Sequence, residues 1–152
     1  MPDRSKDRRR AVDLLFEADQ RRRAGDDVAI IDLLAQRMAN ASGLKPMRTY
    51  AAEIIEGVAE HLARIDELLE SYSHAWTIDR MPAVDLAILR IGVWELLYSD
   101  EVPDAVAVEQ AVNLAADLST DDSPEFVNGL LGQLQRVAPA LRDAGAPSGE
   151  PQ

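Results

Sequence analysis

The chain contains no cysteine, only two histidines and few aromatic residues. Without thiols it forms no disulfide, offers no thiolate nucleophile and holds no metal through cysteine, which fits a reducing cytoplasm. No uninterrupted apolar stretch approaches the roughly 18 residues of a membrane span. The charged start from Asp3 to Arg10 leads into no apolar run of signal-peptide length. We therefore expect a soluble, cytoplasmic protein without redox chemistry.

Recognisable catalytic patterns are also missing from the sequence. His61 and His74 form no His-x-x-x-His pair, and no serine lies in a Gly-x-Ser-x-Gly elbow. Carboxylate pairs such as Asp121-Asp122 occur where helices are expected to begin, and there they complement the helix dipole. There is no glycine-rich phosphate loop. These observations predict a protein that is not an enzyme and that uses no cofactor or metal.

Apolar residues recur at helical spacing throughout the chain, and no credible pair of strands is present. With 152 residues, 47% of them apolar, the chain is long enough for one domain with a sizeable core. We predict an all-α fold, a compact bundle of about six to seven helices, within a single domain over residues 1–143. The segment from Ala144 to Gln152, rich in Pro, Gly and Ala, is expected to be a disordered tail.

Capping residues and prolines predict where the helices lie. The predicted spans are Ser5 to Arg23, Asp26-Asp27 to just before Asn40, Pro46 to Tyr72, a helix after Pro82, a helix from Pro103-Asp104, and Ser123 to about Leu141. The helix after Pro82 is apolar almost throughout, so we expect it at the centre of the bundle. Arg90 within it should form a buried ion pair, and Trp76 and Trp94 should belong to the core.

The net charge of −11 is unevenly distributed along the chain. Residues 1–23 hold 8 of the 16 basic residues and 5 acidic ones, a local charge of +3, so the remainder carries −14. A small basic arm suits RNA phosphates, while an acidic remainder repels non-specific RNA and attracts a basic protein. The same pattern is typical of a solvated charge run at a helix end, and charge alone leaves both interpretations open.

Residues 121–132 combine a complete helix start with glycines that a plain core helix does not need. Ser123 can accept from the first free backbone N–H groups, and Pro124 has no N–H to leave unsatisfied. The apolar face of the helix that follows consists of Phe126, Val127, Leu130, Leu131 and Leu134. Gly129 and Gly132 each cost roughly 1 kcal/mol against alanine. They indicate either tight packing within the bundle or close approach by another backbone or a ligand.

Three blocks of the sequence resemble the NusB family. Ser-Pro-Glu-Phe-Val-Asn-Gly-Leu-Leu at 123–131 is similar to the family's C-terminal signature, Asp-Ser-x-x-Phe-Val-Asn-Gly-Val-Leu. Residues 76–97 resemble its central helix, with an Ala-Ile-Leu-Arg core and a Trp/Tyr-Glu-Leu end. Arg8 to Phe16 resembles an Arg-rich start that runs into Ala-Val-x-x-Leu-Tyr. The blocks follow the family order across residues 8–134.

The resemblance implies a helical bundle that pairs with NusE, the small-subunit ribosomal protein in its transcription role. The pair would bind single-stranded boxA RNA and help RNA polymerase to resist termination, notably in ribosomal RNA operons. The RNA site implied at matching positions, together with the basic arm, comprises Arg4, Lys6, Arg8, Arg9, Arg10, Phe16, Asp122, Ser123 and Phe126. The implied site for the protein partner comprises Asp79, Asp85 and Phe126.

Some positions depart from the family pattern. Glu125 replaces a residue that is often basic, and Asp3 and Asp7 dilute the basic arm, so RNA affinity is expected to depend on the protein partner. Two alternatives remain open at the level of sequence. One is the NusB-like RNA-targeting domain that precedes a ribosomal RNA cytosine methyltransferase. The other is a homodimeric scaffold in which the basic arm docks on an acidic surface of a second copy.

Overall fold

Seven α-helices and one short 3-10 turn make up the computed structural model, which describes residues 3–39, 49–74 and 76–145. The helices are α1 (Ser5–Arg23), α2 (Ile30–Ala39), α3 (Thr49–Glu60), α4 (Leu62–Tyr72), α5 (Ala83–Tyr98), α6 (Asp104–Leu118) and α7 (Ser123–Gly145), and the 3-10 turn is Ile78–Arg80. None of the described residues belongs to a strand. The predicted all-α bundle is therefore confirmed.

Several helix ends lie where the sequence signals place them. The helix α1 has the predicted bounds, and Gly25 just beyond it adopts a φ of +92°, which glycine tolerates without steric cost. Pro82 and Pro103 directly precede α5 and α6, and their carbonyl groups accept the first backbone hydrogen bonds of those helices. The helix α7 begins at Ser123, as the cap residues predict.

The prediction of one long helix ending at Tyr72 is wrong, because the described part of that segment forms two helices that meet at His61. The imidazole of His61 stacks on the Tyr98 ring, with centroids 3.7 Å apart and planes 6° from parallel. The second helix starts at Ile30, not at Asp26-Asp27. The predicted start at Pro46 lies outside the described residues.

The helix α5 occupies the centre of the bundle and packs against α1, α3, α4, α6 and α7. Its residues from Asp85 to Leu96 are all buried, which confirms its predicted position. Trp94 is buried, also as predicted, and its indole fills the space beside Gly57. A Cβ on Gly57 would lie 1.9 Å from Nε1 of Trp94, so only glycine allows α3 to approach α5 this closely.

Two further predictions concern the ion pair of the central helix and the end of the chain. Arg90 is buried and donates from Nε and Nη2 to the two carboxylate oxygens of Asp66, at 2.9 and 2.8 Å. This confirms the predicted pair. The helix α7 continues through Ala144 to Gly145, so two residues of the proposed tail are helical, and the rest of it lies outside the described residues. No described helix is both long and apolar enough to span a membrane.

Candidate nucleic-acid and partner interface

Arg8 lies inside the fold, contrary to the expectation that it contacts RNA phosphate. Its side chain is 6% exposed, and Nε donates to both carboxylate oxygens of Glu95 at 3.1 Å. The Tyr50 hydroxyl donates to the same carboxylate at 2.5 Å. This cluster joins α1, α3 and α5 through one buried carboxylate. In this conformation Arg8 therefore orders the basic arm from within and does not present a cation to a ligand.

Burial raises the pKa of Glu95 above its usual value, although the positive charge of Arg8 acts in the opposite direction. Burial also raises the pKa of Tyr50, and the hydrogen bond that its hydroxyl donates to Glu95 adds to the effect. Tyr50 therefore stays protonated at neutral pH. The cluster stabilises the packing of the three helices, because all three side chains are buried and contact one another.

The exposed cations of the N-terminal arm occupy different surroundings. The Arg4 guanidinium lies 4.1 Å from the centroid of the Tyr50 ring and pairs with Glu101. Arg9 pairs loosely with Asp117 at 3.6 Å, and both side chains are about half exposed or more. Lys6 is exposed and Arg10 is half-buried, and within the described residues neither forms an ion pair. Lys6 and Arg9 are therefore exposed to a phosphate, whereas Arg4 and Arg10 are only partly accessible.

Phe16 lies on α1 two turns beyond Arg9, on the same side of the helix. It is half-buried and lines a shallow depression with Asp13, Glu17, Gln20, Arg21 and Ala24. The ring thus has an accessible face next to the arm, as an aromatic platform for a base requires.

A buried network of hydroxyl groups fixes the start of α7. Asp85 on α5 is 1% exposed, and its two carboxylate oxygens accept from Ser119 at 2.5 Å and from Ser123 at 2.9 Å. Ser123 is itself buried, and Thr120 lies within hydrogen-bond distance of its oxygen. Neither Asp85 nor Ser123 faces solvent, contrary to the expected contacts with partner and RNA. Both instead hold the loop between α6 and α7, which exposes Asp122.

An aromatic pair lies on the surface beside this loop. Trp76 is 39% exposed, so its predicted place in the core is wrong. Its ring meets that of Phe126 edge to face, with centroids 4.8 Å apart. Asp79, on the 3-10 turn just after Trp76, is exposed as well. Trp76 was missed because its apolar neighbours in sequence suggested burial, although its position just before a helix entrance is typical of a surface segment.

Gly129 and Gly132 of α7 face open space. A Cβ at Gly129 or Gly132 would have no heavy atom within 4 Å among the described residues. Tight packing inside this bundle therefore does not explain them. Asn128 beside them is exposed. The other interpretation, close approach by a second molecule, agrees with this bare helix face.

Comparison with known proteins relates the whole arrangement to one family. The NusB family model matches residues 5–136. A transcription antitermination protein NusB from Beutenbergia cavernae is 64% identical over 152 residues, covering 98% of this chain and 99% of the relative. A second one, from Nocardioides sp., is 57% identical over 141 residues, covering 93% and 99%.

Solved structures agree with this relationship. A structure of T. maritima NusB superimposes with a TM-score of 0.75 at 28% identity, covering 94% of this chain and 98% of the other. A chain from a crystal structure of the antitermination factors NusB and NusE with double-stranded RNA gives a TM-score of 0.72, covering 88% and 96%. Its identity is 22%, so that likeness concerns the fold alone. Since the family model spans most of the chain and the curated relatives align over nearly their full length, the chain belongs to the NusB family.

Proposed function

We propose that this protein is a transcription antitermination factor that binds single-stranded boxA RNA together with NusE and helps RNA polymerase to resist termination, notably in ribosomal RNA operons. Residues 1–143 would act as one non-catalytic, RNA-binding domain in the cytoplasm. The observation that carries the proposal is the 64% identity over nearly the whole chain with a transcription antitermination protein. Two surfaces of the bundle, one rich in cations and one with exposed aromatic side chains, support the proposal.

The first surface, which we call the RNA face, consists of the cations of the N-terminal arm with the ring beside them: Arg4, Lys6, Arg9, Arg10 and Phe16. Cations release counterions when they bind phosphate, and an aromatic ring stacks on a base. Asp122, which is exposed in the loop between α6 and α7, would moderate RNA affinity by repulsion. Arg8 would contribute from inside, by fixing α1 on Glu95.

The second surface, the partner face, consists of Trp76, Asp79 and Phe126. Large aromatic side chains in part exposed to solvent are favoured anchors of protein interfaces. The carboxylate of Asp79 suits an arginine of a basic ribosomal protein such as NusE. Asp85 and Ser123 support this face from below, because they hold the start of α7, on which Phe126 lies. The bare glycine side of the same helix would admit a close neighbour.

Fluorescence anisotropy with labelled boxA RNA and a scrambled control, with and without NusE at near-physiological salt, tests the proposal. We expect binding that is selective for boxA and strengthened by NusE. The double variant Arg9→Ala with Arg10→Ala should weaken binding and flatten its dependence on salt, because two phosphate contacts are lost. A variant of two distant arginines, Arg64→Ala with Arg136→Ala, is the matched control. Equal binding of boxA and scrambled RNA under all conditions would refute the proposal.

A further inference from the structure

A groove separates α1 from α6 on the basic side of the bundle. It consists of two adjoining depressions with volumes of about 590 and 320 Å³, which meet at Gln110. Recognition sites for small organic groups are typically about 300–1,000 Å³. The polar side chains that line this α1–α6 groove are Asp3, Arg4, Ser5, Arg8, Arg9, Glu101, Gln110, Asn113 and Asp117.

Two amide side chains on α6 line the groove. Gln110 and Asn113 are one turn apart and so lie on the same face of the helix. Within the described part of the chain, neither side chain makes a hydrogen bond. Each amide offers two donors and an acceptor. This is the combination with which proteins read the edges of bases in nucleic acids.

The floor of the groove is apolar, as the flat face of a base requires. Val102 and Leu114 line it, and both are almost fully buried. A mostly apolar pocket with a few placed polar groups is the usual form of a specific ligand site.

Ion pairs stand at the two ends of the groove. Arg4 pairs with Glu101 at one end, and Arg9 pairs with Asp117 at the other. The two carboxylates are 62% and 64% exposed, but the Arg4 side chain is only 19% exposed and lies over the Tyr50 ring. The Arg9–Asp117 pair, whose cation is 49% exposed, is therefore the one that is held in water and weak. A phosphate that enters the groove can therefore take over the Arg9 guanidinium at little cost. Since these carboxylates offset the cations, charge alone would not select RNA here, and selection would come from the amides.

We infer that the α1–α6 groove is a base-reading subsite for single-stranded RNA, in which Gln110 and Asn113 hydrogen-bond a base edge and Arg9 exchanges Asp117 for a phosphate. The inference rests on the proposed function, because it assigns a base-specific part to the same RNA face. In this subsite the Asp117 carboxylate competes with the RNA phosphate for the Arg9 guanidinium.

The first experiment measures the double variant Gln110→Ala with Asn113→Ala against boxA and scrambled RNA, in the presence of NusE. Loss of base contacts should lower boxA affinity about tenfold and bring it towards that of the scrambled RNA, while the salt dependence stays that of the wild type. Gln36→Ala, which removes an exposed amide on α2, is the control. Thermal unfolding of each variant establishes that it is folded.

The second experiment concerns the competitor. Asp117→Asn should tighten RNA binding several-fold, most strongly at low salt, because Arg9 loses its carboxylate. The gain should vanish when Arg9→Ala is combined with it. Asp32→Asn, which removes an exposed carboxylate on α2, should leave affinity almost unchanged.

The outcomes separate the inference from the proposed function. If the wild type selects boxA and the amide variant selects it equally well, the inference about the groove is wrong and the proposed function still stands. A wild type that fails to distinguish boxA from scrambled RNA would overturn both. NusE binding of the amide variant is also measured by calorimetry without RNA. If that binding is weaker while selectivity for boxA RNA is unchanged, the groove is a protein contact and the inference is wrong.

Discussion

Arg8 and Arg9 are neighbours in sequence, yet they serve opposite purposes in the structure. Arg8 is buried on the carboxylate of Glu95, whereas Arg9 is about half exposed and lies 3.6 Å from Asp117. Adjacent residues of a helix point about 100° apart, so one turns inward and the next outward. The arginine run at the start of the chain therefore supplies both a buried ion-pair partner, Arg8, and a solvent-exposed cation, Arg9.

The variant Arg8→Met should destabilise the protein far more than Arg9→Met. Loss of one partner from a buried pair leaves an uncompensated charge and costs about 3–5 kcal/mol at neutral pH. Removal of the exposed cation should change the free energy of unfolding by less than about 0.5 kcal/mol. Urea unfolding followed by circular dichroism measures both. Equal losses for the two variants would show that the Arg8–Glu95 pair is not a stabilising anchor.

The cost of Arg8→Met should also depend on pH. Burial raises the pKa of Glu95, and Arg8 opposes that shift, so the pKa in the variant rises further. A carboxyl whose pKa is higher in the folded state contributes stability below its unfolded pKa and loses it as pH rises through the folded value. The difference from wild type should therefore be smallest in acid and grow as pH increases towards neutrality. A difference that is independent of pH would contradict the role of Glu95.

Asp85 and Asp79 should separate stability from partner binding. Asp85→Ala removes the buried carboxylate that accepts from the half-buried Ser119 and the buried Ser123, at a cost of about 1–3 kcal/mol in the free energy of unfolding. Asp79→Lys, on the exposed 3-10 turn, should leave stability unchanged and weaken NusE binding by reversing a charge. Thermal unfolding and calorimetric titration with NusE give the two readouts. An Asp79→Lys protein that binds NusE like the wild type would remove that residue from the partner face.

Trp76→Ala should weaken NusE binding about tenfold or more, because a partly exposed aromatic in contact with Phe126 is well placed as an interface anchor. Binding of RNA by the chain alone should change little, since Trp76 is not part of the RNA face. Tyr98→Ala is the matched control, because Tyr98 has a similar exposed fraction on another surface. Should both aromatic variants bind NusE equally well, the aromatic pair has only a local packing role.

Two glycines should respond to alanine with opposite signs. At Gly57 the added Cβ collides with the indole of Trp94, so Gly57→Ala should lower the melting temperature through strain in the core. At Gly129 the Cβ meets open space, and alanine is the better helix former by about 0.8–1 kcal/mol, so Gly129→Ala should raise the melting temperature. Weaker NusE or RNA binding by the more stable Gly129→Ala protein would identify the bare side of α7 as a contact surface.

The sequence alone determined the helical class, several helix ends and the burial of α5. These features follow from local signals: spacing of apolar residues, prolines before helices, and cap residues such as Ser123. The Arg90 pair was also predictable, since a charge within an apolar helix requires a partner. The break at His61 was not predictable, because the helical pattern runs through that residue and the imidazole instead stacks on Tyr98, which is distant in sequence.

The tertiary structure decided which charged and aromatic residues face solvent. Arg8, Asp85 and Ser123 belong to motifs that resemble a binding site, but each finds its partner on another helix and is buried by it. Trp76 has apolar neighbours in sequence and nevertheless lies at the surface. The spacing of apolar residues indicates which side of a helix is apolar. Whether a given side chain is buried depends on which residues of other helices pack against it. The α1–α6 groove exists only through such long-range placement, since α1 and α6 are about 80 residues or more apart in the chain.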